Sequence, residues 1–334
     1  MRKNYYIIVF ILFFIGCSTN EQSDKTSNKV GFIGVGYGVY SYSQSLQTWD
    51  KKTDDQTLYY NVNYINNRYI AVGKSGKIIT SCGGIIWCRA TNSDSNDLYD
   101  VTYSNQQGDE PDEGGKYVAV GSNGTILTSS DAYNWTKVTS GTTNTLYGIT
   151  YTNEWGRMFV AVGSSGTILT SGDGISWTSQ TSGTSSTLYA VLAAAIDYTE
   201  CCGYTSHFVI AVGSNGTIVS GPVGYNYDGP YPSSRSWSAE TSGVTVTLKG
   251  VALGNDNKIV AVGYESGYNI TTSSDAYNWT ASTNNNSYTH SDITFGNGQF
   301  LTSAKTYYGV SSDGTNWTYY STGSTSISLE GVAY

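Results

Sequence analysis

Apolar stretches of strand length, each bounded by Gly, Ser, Asn or Thr, recur along this chain from about residue 30 onward. The clearest unit runs from LYGITY (146–151) through FVAVG (159–163) and TILTS to the tryptophan at 177. Runs this short, rich in Val, Ile, Tyr and Thr and closed by turn residues, predict β-strands rather than helices. The pieces repeat: LYDVTY (98–103) and LKGVAL (248–253) match the first strand, A, while YVAVG (117–121) and IVAVG (259–263) match the second, B. A tight turn such as Ser122-Asn123-Gly124 then leads into strand C, because Asn-Gly accepts the positive φ a hairpin turn requires. Strand D starts at the tryptophan.

Seven tryptophans hold the same place in the unit: Trp49, Trp87, Trp135, Trp177, Trp237, Trp279 and Trp317, with Trp155 outside the series. Their role is blade packing. Four strands in some 40–45 residues cannot bury both faces alone, so neighbouring units must stack. The two ends complete each other: VGFIGVG (30–36) is a strand B without its A, and LEGVAY (329–334) is a strand A without its B. Joined, they close a ring and remove the bare edges of a linear array. The expectation is all-β: a seven-bladed β-propeller over 30–334, four antiparallel strands per blade, closed by the C-terminal strand joining the N-terminal blade.

Composition agrees with that pattern and narrows the partners. Only 13% of the residues are charged, against 39 Gly and 30 Tyr, and the net charge is -8. An acidic surface repels phosphate backbones, so nucleic acid is not an expected partner. The acidic run Gly108-Asp109-Glu110-Pro111-Asp112-Glu113 reads as a solvated loop.

The first residues follow other rules. Arg2 and Lys3 precede an apolar run from Tyr5 to Ile15, too short to span a bilayer but suited to a secretory signal. Phe14-Ile15-Gly16-Cys17 resembles the lipobox of bacterial lipoproteins, with Phe where Leu is usual. The resemblance implies a signal peptide over 1–16, cleavage before Cys17 and lipidation of that cysteine. Residues 17–29, polar and without period, form the lipidated flexible tether. The expected location is the bacterial cell envelope, outside the cytoplasm, the protein being held to the membrane only by its lipid. Ser18 resembles the sorting pattern for the outer membrane.

The turns before strand D read Ser-Ser-Asp-Ala-Tyr-Asn-Trp (129–135 and 273–279), Ser-Gly-Asp-Gly-Ile-Ser-Trp (171–177) and Ser-Ser-Asp-Gly-Thr-Asn-Trp (311–317). They resemble the Asp-box, or BNR, hairpins of sialidase-superfamily propellers. They look closer still to bacterial repeats of the photosystem II assembly factor kind and of secreted glycosidases. The spacing departs from the sialidase box by one residue, and four of the seven blades keep the aspartate. Asp131, Asp173, Asp275 and Asp313 are read as turn residues that cap their own backbone amides.

Chemistry-bearing residues are sparse. Arg68, Arg89, Arg157 and Arg235 are scattered among blades rather than gathered on a carboxylate, and the Phe-Arg-Ile-Pro segment of sialidases is missing. The two histidines, His207 and His290, are read as loop residues. No catalytic residue, metal or cofactor is expected, although two glycosidase carboxylates need no motif. Cys82 and Cys88 flank one C–D turn and are expected to form a disulfide. Cys201 and Cys202 are either a vicinal pair or two thiols.

Insertions concentrate in two A–B connections (104–116 and 195–207) and one C–D connection (221–236), which share one face of the ring. Trp155, Tyr198, Tyr204, Tyr225, Tyr227 and Tyr231 there form the candidate partner surface. The expected function is a monomeric, non-catalytic binding or assembly scaffold for an envelope protein. The alternative is a propeller that binds or hydrolyses carbohydrate.

Overall fold

A computed structural model describes residues 32–43, 48–53, 56–104, 115–152, 157–197, 205–222, 236–265, 269–282 and 288–334. They form seven four-stranded antiparallel sheets with no helix longer than a single turn. Each sheet is a blade of strands A to D in spatial order. The A strands are Leu329–Ala333, Tyr59–Ile65, Leu98–Ser104, Leu146–Thr152, Leu188–Asp197, Leu248–Leu253 and Asp292–Gly296, for blades 1 to 7.

Blade 1 is the composite expected from the two chain ends. Leu329–Ala333 pairs antiparallel with Phe32–Gly36, Ile33 facing Ala333 and Val35 facing Gly331. Its other partners, Gly38–Ser43 and Thr48–Lys51, come from the beginning of the chain. Phe32 and Tyr42 stack at 4.4 Å, and Tyr308 of blade 7 packs within 5.7 Å of Phe32. The closing blade is therefore sealed to its neighbour by aromatic contact as well as by the ladder.

Stacking explains why strand B is mostly apolar. In blades 2, 3 and 4 it buries alternate residues on both faces: Val118 and Val120 pack with Leu146, Ile149 and Phe159 of the next blade, while Tyr117 and Ala119 pack with Ile70 and Val72 of the preceding one. All seven repeat tryptophans join such clusters between blades. In four of them, Trp87, Trp135, Trp279 and Trp317, the indole N–H donates to the carbonyl three residues back, at 3.0–3.2 Å. The tryptophan closes the C–D turn, and in six blades strand D begins one residue later.

Four B–C connections are two-residue turns of the expected kind. Asn123 and Gly124 take φ of 54° and 64°, and Ser75-Gly76, Ser165-Gly166 and Asn215-Gly216 repeat them. At the C–D turns the aspartate caps. Asp131 Oδ1 accepts from the amides of Tyr133 and Asn134, both at 2.8 Å, and Asp173, Asp275 and Asp313 do the same two and three residues on. These bonds favour the ionised form, holding Asp131 and Asp173 at about 2 against the opposing effect of burial.

Several expectations need correction. His290 lies in the connection before Asp292–Gly296 but is no exposed loop residue: it is fully buried beside Thr302 and Tyr319, in the place where five other blades put leucine. His207 lies in strand B of blade 5, Thr205–Gly213. The insertion at 195–207 is partly strand, because this hairpin extends to Asp197 and Thr205. Cys88 is disulfide-bonded, but Cys82 is not its partner, so the expected Cys82–Cys88 bridge is corrected. Register supplies the reason: Cys88 faces Thr80, leaving Cys82 two residues past its cross-strand position. Cys17, Cys201 and Cys202 lie outside the described residues.

Candidate functional site

The A strands stand innermost and line a central cavity of about 560 Å³. Side chains alternate along a strand. The first residue of each A segment, which in blade 7 begins two residues before the strand, is buried in the blade: Tyr59, Leu98, Leu146, Leu188, Leu248, His290 and Leu329. The next residue lines the channel. Around the ring this second position reads Tyr60, Tyr99, Tyr147, Tyr189, Lys249, Ser291 and Glu330.

The four tyrosines form a continuous arc over blades 2 to 5. Ring centroids lie 5.0 Å apart from Tyr60 to Tyr99, 5.1 Å from Tyr99 to Tyr147 and 5.0 Å from Tyr147 to Tyr189. The interplanar angles of 41–49° suit aromatic quadrupoles better than a parallel face-to-face sandwich. All four rings are half-buried.

Charge brackets the arc. At one end Lys249 Nζ sits 3.2 Å over the Tyr189 ring. Burial lowers this lysine to about 8, partly offset by the carboxylate of Glu330. At the other end the Tyr60 hydroxyl donates to Asp97 Oδ2 at 3.0 Å, and the amide of Ser75 holds Asp97 Oδ1 at 2.8 Å. Burial and then Asp97 raise the Tyr60 phenol well above its ordinary value. Glu330, also half-buried and raised by burial, follows next to Tyr60 and carries the opposing influence of Lys305 and Lys249. Ser291, the small residue between Lys249 and Glu330, has a buried hydroxyl with no hydrogen-bond partner.

One residue deeper, two carboxyl groups tie A strands together. Asp100 accepts the Ile149 amide of the next blade at 2.8 Å, its own neighbour Val101 at 2.8 Å, and the side chains of Asn61 and Asn63 of the preceding blade at 2.8 and 3.0 Å. Asp292 accepts the Val332 amide of the closing strand at 3.0 Å and that of Ile293 at 2.8 Å. The inner edge of an A strand has no further strand to pair with, and these carboxyls take its exposed amides. Burial raises both to about 7, against the hydrogen bonds that favour ionisation.

The tyrosine mouth lies at the end of the channel where D–A connections meet B–C turns. Backbone bonds fix this: Ser122 N donates to Asp97 O, and Ser164 N to Thr145 O, each at 2.9 Å. The strand ends that flank the insertions expected to carry the partner surface, at Ser104, Asp197 and Pro222, stand at the opposite end. Trp155, Tyr198, Tyr204, Tyr225, Tyr227 and Tyr231 lie outside the described residues. The mouth was missed because each of the pairs Tyr59-Tyr60, Leu98-Tyr99, Leu146-Tyr147 and Leu188-Tyr189 read simply as strand. Its signal was the identity of the residue after the leucine, compared blade by blade around a closed ring.

Among the described residues no three His, Cys, Asp or Glu side chains gather as a metal site. No protein-family model matches the sequence, and no curated protein matches it. Solved structures do. YCF48 from Cyanidioschyzon merolae superposes with a TM-score of 0.56 at 16% identity, over 81% of this chain and 86% of that one. Sqt1 of Saccharomyces cerevisiae gives 0.58 at 10% identity, over 87% of this chain and 81% of its own. A structure of YCF48 bound to D1 peptide gives 0.56 at 15% identity, over 90% and 85%. The fold is that of a β-propeller. At these identities the likeness speaks for architecture, and the ligand has to be read from the chemistry of this mouth.

Proposed function

We propose that this chain is a non-catalytic binding scaffold, anchored outside the cytoplasm through lipidated Cys17, which takes hold of a protein partner at the channel mouth. The observation that carries the reading is the arc of four tyrosines with Lys249 at one end and Asp97 and Glu330 at the other. Tyrosine offers large, rigid contact area with a polar edge at small entropic cost, which suits recognition of a peptide segment. A cavity of about 560 Å³ accommodates a few side chains of an inserted loop. The two carboxyl groups deeper in the channel are engaged with backbone amides, as befits a wall rather than an acid/base pair. The structure of YCF48 bound to D1 peptide is a precedent for a peptide on this fold. In this reading the tether at 17–29 lifts the ring from the membrane. The aromatic insertions, Trp155 and Tyr198 among them, supply a second contact.

The test is photo-crosslinking in the native envelope, with a benzophenone amino acid in place of Tyr99 and, separately, at exposed Ile175 on a C–D turn. One protein captured through position 99 and absent from 175 is the expected result. If position 99 captures nothing while the purified chain binds sugars on a glycan array, the tyrosine arc is a carbohydrate platform and the proposal fails.

A further inference from the structure

Resting on that reading of the mouth, we infer that the segment it accepts carries a basic side chain, a lysine or arginine, laid against Tyr60 and Tyr99. The ring already shows what its aromatic faces take. Lys249, a residue of the channel itself, places its ammonium 3.2 Å over Tyr189 at the blade 5 end of the arc. A cation over a tyrosine face is attracted by the ring quadrupole, more strongly where water is excluded.

The arc is asymmetric in charge. Its blade 5 end has its own cation. Its blade 2 end has two carboxylates, Asp97 bound to the Tyr60 hydroxyl and Glu330 as the next residue round the mouth, and among the described residues lining the channel the ammonium is that of Lys249. Lys249 and Lys305 influence Glu330 from the far side, and Lys305 is itself drawn over Tyr264 at 5.3 Å. The tyrosine faces at the Asp97 end thus lie in negative potential within a half-buried, low-dielectric mouth. That combination favours an incoming cation and disfavours an incoming anion. The chain as a whole carries a net charge of -8, which steers the same class of ligand toward it.

The experiment follows the ring signals of ¹³C-labelled tyrosine in the full chain, purified in detergent. Blocked pentapeptides Gly-Ser-X-Ser-Gly are added, with X lysine, arginine, norleucine or glutamate. The lysine and arginine peptides should shift the Tyr60 and Tyr99 signals and bind about tenfold more tightly than the norleucine peptide. Tyr60→Phe keeps the aromatic face and should retain that preference, whereas Tyr60→Leu and Tyr99→Leu abolish it. Lys249→Met supplies the sign test, removing a competing cation without altering any side chain of the blade 2 end. It should tighten the lysine peptide by a few-fold and leave the norleucine peptide unchanged. Preference for the glutamate peptide, weakened by Lys249→Met, overturns the inference, as does equal binding of all four or no shift with any. Should a protein still be captured through position 99 in that event, the mouth remains a partner site and only the cationic chemistry is wrong.

Discussion

Asp292 joins blade 7 to the strand that closes the ring, and its burial gives a stability signature with a definite sign. Its carboxyl accepts only two amides, from Ile293 and Val332, and burial lifts it from 3.8 to about 7. A carboxyl raised in the folded state contributes most below its unfolded value and loses that contribution as pH rises through its folded one. Integrating both titrations from about pH 5.5 to about pH 8 gives a loss of about 2 kcal/mol for one such group. Asp292→Asn stays neutral across the range and escapes that loss. It also turns an amide donor toward one of the two backbone N–H groups, at a cost of roughly 1–3 kcal/mol. Wild type should therefore be the more stable protein at the lower pH, and its margin over the variant should shrink by about 2 kcal/mol at the higher. Because the charge of Asp292 also raises Asp100, the variant relaxes that second carboxyl in the same direction. Urea unfolding of both proteins at the two pH values, at one ionic strength, measures the margin, and other titrating groups cancel in the difference. Wild-type and variant curves that shift in parallel refute a raised carboxyl at this position.

His290 should act at the acid end. Burial lowers it from 6.5 to about 4, so the stability it contributes is present above pH 6.5 and lost as pH falls through the folded value. The full loss is about 3 kcal/mol, and His290→Leu should flatten it in acid-unfolding curves followed by tryptophan fluorescence. Asp131→Ala removes the acceptor of two turn amides and should lower stability by about 1 kcal/mol in thermal melts, an unchanged midpoint counting against the cap. At Gly73 the backbone is extended, yet an added Cβ meets the Leu58 carbonyl oxygen at 2.3 Å, whereas at Gly141 it meets nothing within 4 Å. Gly73→Ala should abolish soluble expression while Gly141→Ala costs only the strain of a left-handed alanine, about 1 kcal/mol; similar yields of the two would contradict the close approach.

Much of the ring was legible because its evidence is periodic. The tryptophan series, the Asn-Gly turns and the two complementary half-blades each point to the same closed architecture, and none depends on a single residue. The capping aspartates were equally local: Asp131 reaches amides only two and three residues away. The mouth was hidden for the opposite reason. Tyr60, Tyr99, Tyr147 and Tyr189 are about 40 residues apart in sequence and 5.0–5.1 Å apart in space, so nothing short-range marks them as one surface. His290 misled in its burial: Tyr288 to Ser291 do lie in the connection before Asp292–Gly296, yet the ring places His290 in the buried position that leucine takes in other blades. The cysteines misled through register, since a spacing of six residues across a turn leaves the direct partner of Cys88 to be a threonine.

The pairing of Ile33 with Ala333 joins positions three hundred residues apart, and it governs the order in which the molecule can assemble. A chain made from its first residue onward presents the strand Phe32–Gly36 early, with an edge whose complement does not yet exist. Six blades can mature in sequence while this one waits, its hydrogen-bonding groups open to any passing strand. A topology so dominated by distant contacts folds slowly. During that interval the nascent protein is exposed to mispairing with another copy of itself, and the closing segment acts as the last stitch that withdraws the opportunity.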